Sequence, residues 1–455
     1  MSKTLFGTDG IRGVAGEYPL VPELLEKLGR VLAMRILGDL PDNADAAPRV
    51  LIGHDGRESG ESIAAAVAAG LTHGGVPVDV VGLTSTPCLA YLTFADCYQA
   101  GVMVSASHNP ARDNGIKLFG RQGTKLADAV EAELETALDE VGPPPEGVAP
   151  AEIRRTKNLV TDYISWLRNE AFPELELKGR RILVDCANGA ASELAPRVLK
   201  TFGADVVTIH DKPDGHNIND GCGALHPEAA AAAVQEYGCE VGLSLDGDAD
   251  RSMLVDATGR VLDGDAILAG LGCAMEEAGE LPGHTVVATV MSNLALERMV
   301  KDCGANLKRT AVGDRYVAEA MREGGFRLGG EKSGHVLFGE DHGYRGDGIY
   351  TLLRVMEVLV ARGEEATAFA AGYADLPQRL VNLSATRRVP LDELPALSAA
   401  CTRAEEQLGD EGRIVVRFSG TELLLRLMVE AVDDARVDAT LADLEAAARE
   451  DGILA

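Results

Sequence analysis

GVMVSASHNPARDNGIKLF, residues 101–119, is the stretch from which the rest of the chain is read. Val102, Met103 and Val104 form a short apolar run of the kind that makes a buried strand. Ser105-Ala106-Ser107-His108-Asn109-Pro110 follows, small and polar, closed by a proline that cannot extend a strand. Asp113-Asn114-Gly115 then predicts a tight turn, and Ile116-Lys117-Leu118-Phe119 a second apolar strand. A serine is thereby held at a strand end, with an imidazole beside it and a lysine ten residues on. Such a loop can present a nucleophilic or phosphoryl-carrying hydroxyl. A polar turn capped by serines would be written with the same residues, so the rest of the chain has to decide.

Outward from this loop the chain keeps a βα rhythm. Strands are expected at 49–53 and 76–81, with helices at 59–72, 87–96 and 126–141, before Gly142-Pro143-Pro144-Pro145-Glu146-Gly147 breaks the pattern as a linker. The rhythm returns with strands at 181–186, 205–209 and 241–245, a helix at 227–237 and a hairpin over 251–262 turning at Thr258-Gly259. A third round has helices at 265–278, 293–302 and 347–362 and a strand at 285–290. The last 80 or so residues read as helix, strand, strand, helix (391–408, 413–418, 423–429, 434–450), a smaller α+β unit.

A chain of 455 residues is too long for one core. Its 46% apolar and 25% charged content is that of a soluble globular protein. No apolar run is long enough to span a bilayer, and MSKTLFGTDG lacks the apolar core of a signal peptide, so a cytoplasmic protein is expected. The net charge of −28, with 43 basic against 71 acidic residues, argues against nucleic acid or an anionic membrane as partner. An anionic small molecule is compatible where local arginines and lysines overturn the global field. Eight scattered cysteines without a C-x-x-C pair fit reduced thiols better than disulfides or zinc.

Asp246-Gly247-Asp248-Ala249-Asp250-Arg251 sets three carboxylates at alternate positions directly after an apolar strand. Their mutual repulsion is relieved by a hard cation, and Mg²⁺ favours a few carboxylates plus phosphate oxygens. An EF-hand is excluded, because its glycine position is Arg251 and its glutamate position Ala257. Arg417-Phe418-Ser419-Gly420-Thr421-Glu422, with Arg426 beyond, offers two guanidinium groups, two hydroxyls and a glycine, a set suited to phosphate. Gly329-Gly330-Glu331-Lys332-Ser333-Gly334-His335 mixes acid, base, hydroxyl and imidazole between glycines, as a sugar-reading loop does. Phe6-Gly7-Thr8-Asp9-Gly10-Ile11-Arg12-Gly13 is a polar loop with one arginine.

Taken in order, the loops at 5–13, 105–110, 246–251, 330–335 and 417–421 resemble the signature loops of the α-D-phosphohexomutases over the whole chain. Within that superfamily Met291-Ser292-Asn293-Leu294, Val312-Gly313-Asp314-Arg315-Tyr316 and Asn217-Ile218-Asn219 resemble the bacterial phosphoglucosamine mutases. The resemblance implies three mixed α/β domains and a smaller C-terminal α+β domain around a central cleft. The division expected is 1–147 with a phosphoserine loop, 148–253 with a metal-binding loop, 254–366 with a sugar-binding loop and 367–455 with a phosphate-binding loop.

It also implies an isomerase that interconverts glucosamine 6-phosphate and glucosamine 1-phosphate, on the route to UDP-N-acetylglucosamine. Ser107 matches the phosphoserine, which also completes the Mg²⁺ set of Asp246, Asp248 and Asp250. Arg12, His108 and Lys117 match residues lining the reacting centre; Glu331, Ser333 and His335 the sugar loop; and Arg417, Ser419, Gly420, Thr421 and Arg426 the phosphate loop. Glucosamine 1,6-bisphosphate or glucose 1,6-bisphosphate is the implied intermediate and activator, and whether the chain forms a homodimer stays open. The sequence departs from the family at Lys332, where glutamine is usual, and at Phe418 and Leu423, where prolines are common. Lys332, flanked by Glu331 and Ser333 on a short loop, is expected to point to solvent. Competing readings are a phosphoglucomutase or phosphomannomutase of the same superfamily, an aspartyl phosphatase with Asp246 as nucleophile, and a non-catalytic sugar-phosphate sensor.

Overall fold

Four sheets follow one another along the chain in a computed structural model that describes residues 5–7, 9–40, 47–143, 149–419 and 423–454. The first has six strands in the order Ile11–Val14, Asp113–Gly120, Ala100–Val104, Val50–His54, Val78–Leu83, Ile153–Arg155. Val50–His54 runs parallel to both its neighbours, while Asp113–Gly120 is antiparallel to both of its own. Helices Pro22–Gly38, Gly60–His73 and Thr86–Ala95 cover it, with Asp128–Glu140 packed on the first of them. The second sheet orders Val261–Leu262, Ser252–Asp256, Val241–Leu245, Arg181–Asp185, Asp205–Ile209, and the third Asn306–Thr310, Thr285–Thr289, Leu328–Gly330, Val336–Phe338. Parallel strands buried on both faces need continuous apolar runs, which is why Val241–Leu245 and Thr285–Thr289 are buried at every position.

The last unit is antiparallel: Gln378–Ser384, Leu424–Ala431 and Gly412–Phe418, backed by helices Pro395–Leu408 and Asp434–Glu450. It has its own apolar core around Leu397, Leu427 and Leu444, whereas one continuous core runs from Leu51 through Leu243 to Phe369 in the units before it. Polar contacts join the two parts. Arg413 donates to the Val290 carbonyl at 2.9 Å and to the buried Glu430 at 2.6 Å, and Glu430 in turn accepts the Leu294 N–H at 2.8 Å. Among the described residues no helix is long and apolar enough to cross a membrane.

Several expectations need correction. Asp113-Asn114-Gly115 is strand rather than turn, because these residues pair with Val14, Gly13 and Arg12 of the edge strand. Past the linker, of which residues 144–147 lie outside the described residues, Ile153–Arg155 joins the first sheet instead of opening the second. A division after 253 would also cut the strand Ser252–Asp256, whose register with Val241–Leu245 continues to Asp256. Cys273 and Cys303 form a disulfide, with Cα atoms 5.5 Å apart. Packing of helix Gly264–Glu277 on Leu294–Asp302 brings them together, a contact that 30 residues of separation conceal. Helices Pro22–Gly38 and Asp314–Gly324 and strands Asn306–Thr310 and Gln378–Ser384 were not expected.

The edge at Ile153–Arg155 is held by one carboxylate. Buried Asp79 accepts from Arg154 at 2.9 and 2.8 Å, from Arg49 Nε at 3.0 Å and from the Tyr98 hydroxyl at 2.8 Å. Burial alone would raise its pKa, but the donors Arg154, Arg49 and Tyr98 outweigh that and hold it at about 2. A depressed carboxylate contributes stability that is present above its unfolded pKa of 3.8 and lost as pH falls toward about 2. Asp79→Asn is expected to cost about 2–4 kcal/mol at pH 7, the scale of a broken buried ion pair. In urea melts from pH 7 down to pH 3 the gap between variant and wild type should narrow; a constant gap would show that the network contributes nothing through charge.

Candidate active site

The three α/β units each send a loop from the carboxyl end of a parallel strand into one cleft of about 1410 Å³, the position where open α/β sheets bind ligands. Ser107 leaves strand Ala100–Val104, Asp246 leaves Val241–Leu245, and Glu331 leaves Leu328–Gly330.

Ser107 is held in the left-handed region at φ 53°, uncommon for a residue with a side chain. A buried guanidinium fixes it there. Arg57, 2% exposed, donates to the carbonyls of Ser107 (2.8 Å), Asn109 (2.9 Å), Pro110 (2.5 Å) and Asp113 (2.9 Å), and to Asp55 (2.9 Å). That commits all five guanidinium N–H donors. Asp55 also accepts the Ser105 hydroxyl at 2.7 Å, and Ser105 Oγ accepts the Ser107 N–H at 2.8 Å. From the second unit Asn219 Nδ2 donates to the Ser107 carbonyl at 2.9 Å. Gly247 lies so close beneath that a Cβ there would fall 2.7 Å from the same carbonyl oxygen.

The Ser107 hydroxyl donates to Asp246 Oδ2 at 2.6 Å, and His108 Nδ1 lies 3.3 Å from Oγ. Burial, with Arg251 and Arg12 nearby, pushes the His108 pKa down to about 4, so its ring is neutral at pH 7. Asp246, Asp248 and Asp250 are buried, and one oxygen from each lies within 4.8 Å of the others. Burial and then repulsion from Asp250 and Asp248 raise the Asp246 pKa well above the usual range. Lys117, 1% exposed, reaches Asp248 at 2.8 Å, Asp250 at 3.0 Å and Asp9 at 3.3 Å. Burial would lower its pKa, but Asp248, Asp250 and Asp9 outweigh that and keep it charged. One lysine does not satisfy the group: Oδ1 of Asp248 and Oδ1 of Asp250 are buried without a hydrogen-bond partner. Orphaned carboxylate oxygens of this kind fit an oxygen-preferring divalent cation.

The other expected residues that the structure describes line the cleft beside His108 and Asp250. Arg12 donates to Asn109 at 3.1 Å and to Asp9 at 2.5 Å. Glu331 Oε1 accepts the Gly313 N–H at 3.1 Å, and Ser333 and His335 line the cleft, His335 Nε2 standing 3.8 Å from Asp314. Arg417, Ser419 and Arg426 come from the last unit, where Arg417 and Arg426 sit directly opposite one another in the sheet. Like charges opposed across two strands repel, and an anion between them removes that cost. Gly420 and Thr421 lie outside the described residues. Lys332 does not point freely to solvent: it pairs with Asp263 at 2.8 Å and Asp375 at 2.7 Å, carboxylates brought from elements on either side of the loop.

Sequence reading missed much of the support. Arg57 and Asp55 carry no local signal, since the Ser107 loop they hold lies about 50 residues away. Asn219 lies in the Asn217-Ile218-Asn219 motif, but its contact with the Ser107 carbonyl was not expected. Thr86 Oγ1 donates to Asp248 at 2.5 Å across 162 positions. Lys125 joins Asp9 to Asp314, the latter at 2.7 Å, tying the first unit to the third. Arg251 also faces the cleft, and its place in the acidic motif was a hint to it.

Four family models match in succession: phosphoglucomutase/phosphomannomutase alpha/beta/alpha domain I at residues 3–143, domain II at 161–259, domain III at 263–376, and the C-terminal domain at 380–447. The chain belongs to the phosphoglucomutase/phosphomannomutase family. Within it, the chain is 47% identical to the phosphoglucosamine mutase of Saccharopolyspora erythraea, over 98% of this chain and 99% of that one. Among solved structures it superposes on a phosphoglucomutase/phosphomannomutase family protein from Burkholderia thailandensis with a TM-score of 0.80 at 23% identity, covering 98% and 97% of the two chains. The Aspergillus fumigatus N-acetylphosphoglucosamine mutase in complex with GlcNAc-6P and magnesium gives a TM-score of 0.67 at 19% identity, covering 99% and 96%.

Proposed function

We propose that this protein is an isomerase that interconverts glucosamine 6-phosphate and glucosamine 1-phosphate through a phosphorylated Ser107 and a 1,6-bisphosphate. The observation that carries the reading is the clamped Ser107 hydroxyl, 2.6 Å from Asp246, on loops whose residues His108 and Asp250 line one cleft with the opposed Arg417 and Arg426. In the forward half-reaction a sugar hydroxyl attacks the phosphorus of phospho-Ser107. The P–Oγ bond breaks as the new P–O bond forms, the attacking hydroxyl loses its proton, and Oγ regains one. His108, neutral and 3.3 Å from Oγ, is placed to accept the proton that the attacking hydroxyl loses and to return it to Oγ. Lys117 supplies fixed positive charge beside the transferring group. Asp246, Asp248 and Asp250, with the Ser107 phosphate, would hold a divalent cation, Mg²⁺ in this reading, which draws charge from the phosphoryl oxygens.

Arg417, Ser419 and Arg426, with Gly420 and Thr421, grip the phosphate that does not react, while Glu331, Ser333 and His335 read the sugar hydroxyls. The bisphosphate then turns end for end, and Ser107 takes back the other phosphoryl group. The separate core of the last unit suits a part that must release and regrip. In the same reading each of the four units supplies one loop: phosphoserine, metal, sugar and phosphate. Glucose 1,6-bisphosphate can prime the serine by entering at the bisphosphate stage.

A coupled assay over glucosamine, glucose and mannose 6-phosphates tests the substrate, with glucosamine expected to give the highest kcat/KM. Because Asp263 and Asp375 hold the Lys332 ammonium, Lys332→Gln should change the glucosamine-to-glucose ratio by less than about tenfold, ~1.4 kcal/mol. A larger gain for glucosamine would show that the lysine faces the sugar. Equal or better turnover of glucose or mannose phosphate by the wild type would reassign the substrate.

A further inference from the structure

A second cavity, of about 630 Å³, lies between the first and third units behind the Lys125–Asp314 contact. Its inner end reaches Asp250 and His335, and its outer wall includes Ala90, Leu126 and Tyr316. Arg345, on the loop before helix Gly348–Arg362, lines it while only 9% exposed. Among the described residues Arg345 makes no hydrogen bond or ion pair, and its Nε is buried without a partner.

The surrounding carboxylates are engaged elsewhere. Asp314 holds Lys125 at 2.7 Å, and Glu131 and Asp128 hold Arg315. Asp347 accepts the Tyr163 hydroxyl at 2.5 Å and caps its helix through the Ile349 and Tyr350 amides at 3.1 and 3.0 Å. Glu319 lines the cavity from its exposed side, beyond ion-pair distance of Arg345. A second guanidinium in the wall, Arg322, sits over the Tyr344 ring at 5.2 Å. A buried charge without a partner is expensive, and a fork of N–H donors matches phosphate oxygens. Burial presses the Arg345 pKa down to about 10, and the charge of Asp347 offsets this only in part.

We infer that this cavity is a second anion site, taking a phosphoryl group on Arg345, with Arg322 at its side, and any organic body of the ligand against Ala90, Leu126 and Tyr316. The site is separate from the Arg417–Arg426 pair and does not depend on the reaction proposed above. The phosphoryl group can belong to free phosphate or to an organic phosphate, and the cavity's apolar wall favours the organic form.

Calorimetric titration with inorganic phosphate and with phenyl phosphate distinguishes these sources. Arg417→Ala serves as background, so that the catalytic cleft's phosphate loop is weakened. Adding Arg345→Met should reduce the remaining affinity by about tenfold or more, the loss expected for a bidentate charged contact. Phenyl phosphate binding about tenfold tighter than inorganic phosphate assigns the site to organic phosphates, and equal binding assigns it to free phosphate. In phosphate-free buffer Arg345→Met alone should melt above the wild type and keep mutase turnover, because it removes an uncompensated charge. Arg345→Lys, which keeps the charge without the fork, should bind weakly and covers a failure of the methionine variant to fold. Phosphate binding that Arg345→Met leaves unchanged overturns the site, as does a lower melting temperature of that variant in phosphate-free buffer.

Discussion

Ser107→Ala should lower turnover by about three orders of magnitude or more, the scale of removing a covalent nucleophile, while the protein stays folded. The effect is large because the surrounding structure serves one oxygen. Arg57 commits every donor to the loop, Ser105 fixes the Ser107 amide, and Oγ is aimed at Asp246 at 2.6 Å. The neighbouring hydroxyls of Thr86 and Ser105 are not equivalent. Thr86 is already bound to Asp248 at 2.5 Å, and Ser105 faces Asp55 at 2.7 Å. Stability should change by only about 1 kcal/mol, since one hydrogen bond is lost and alanine bears the left-handed backbone no worse than serine. Intact-mass and peptide mapping of active wild-type protein should place one phosphate on Ser107. The rival is an acyl phosphate on Asp246, but Asp246 Oδ2 accepts a hydrogen bond from the Ser107 hydroxyl and Oδ1 one from the Arg251 amide at 3.1 Å, so both oxygens act as acceptors. A hydroxylamine-labile phosphate on Asp246, or full activity in the alanine variant, would sink the serine mechanism.

How much of this was legible in the chain depended on whether the signal was local. The run 241–245 followed by three alternating aspartates marks a buried strand and its loop, because burial on both faces and charge crowding are written in adjacent residues. The same holds for Ser107, whose strand and proline stand beside it. Arg57 was invisible: its value lies in carbonyls 50 or more positions away, which only the pairing of Val50–His54 with Ala100–Val104 brings near. Asp113–Gly120 shows the opposite failure, a turn-like Asp-Asn-Gly drawn into a strand by its edge partner. Tertiary pairing overrode local propensity there. The Cys273–Cys303 bond and the strand at Ile153–Arg155 were missed for a related reason, since neither carries an apolar pattern or a diagnostic spacing.

Removing divalent metal should abolish turnover, and added Mg²⁺ should restore it. The expectation rests on an imbalance inside the cleft. Lys117 neutralises Asp248 and Asp250 directly, and Thr86 donates to Asp248, yet one buried oxygen of each carboxylate is still orphaned. Asp246 has only the Ser107 hydroxyl and the Arg251 amide, and no cation at ion-pair distance among the described residues. Asp246→Asn is therefore the informative change. In excess chelator it removes repulsion from a buried cluster, so the variant should melt no lower than the wild type. In Mg²⁺ the wild type should gain stability by mass action, about 2.7 kcal/mol at a hundredfold excess over Kd, and the variant much less. Turnover of the variant should fall by about a hundredfold or more, as for loss of an electrostatic group at the reacting phosphoryl. A cluster that merely braced the loop would behave otherwise: Asp246→Asn would lower the melting temperature with or without metal. Unchanged rates in excess chelator would likewise show that Lys117 alone balances the three carboxylates, and the orphaned oxygens of Asp248 and Asp250 would need another occupant.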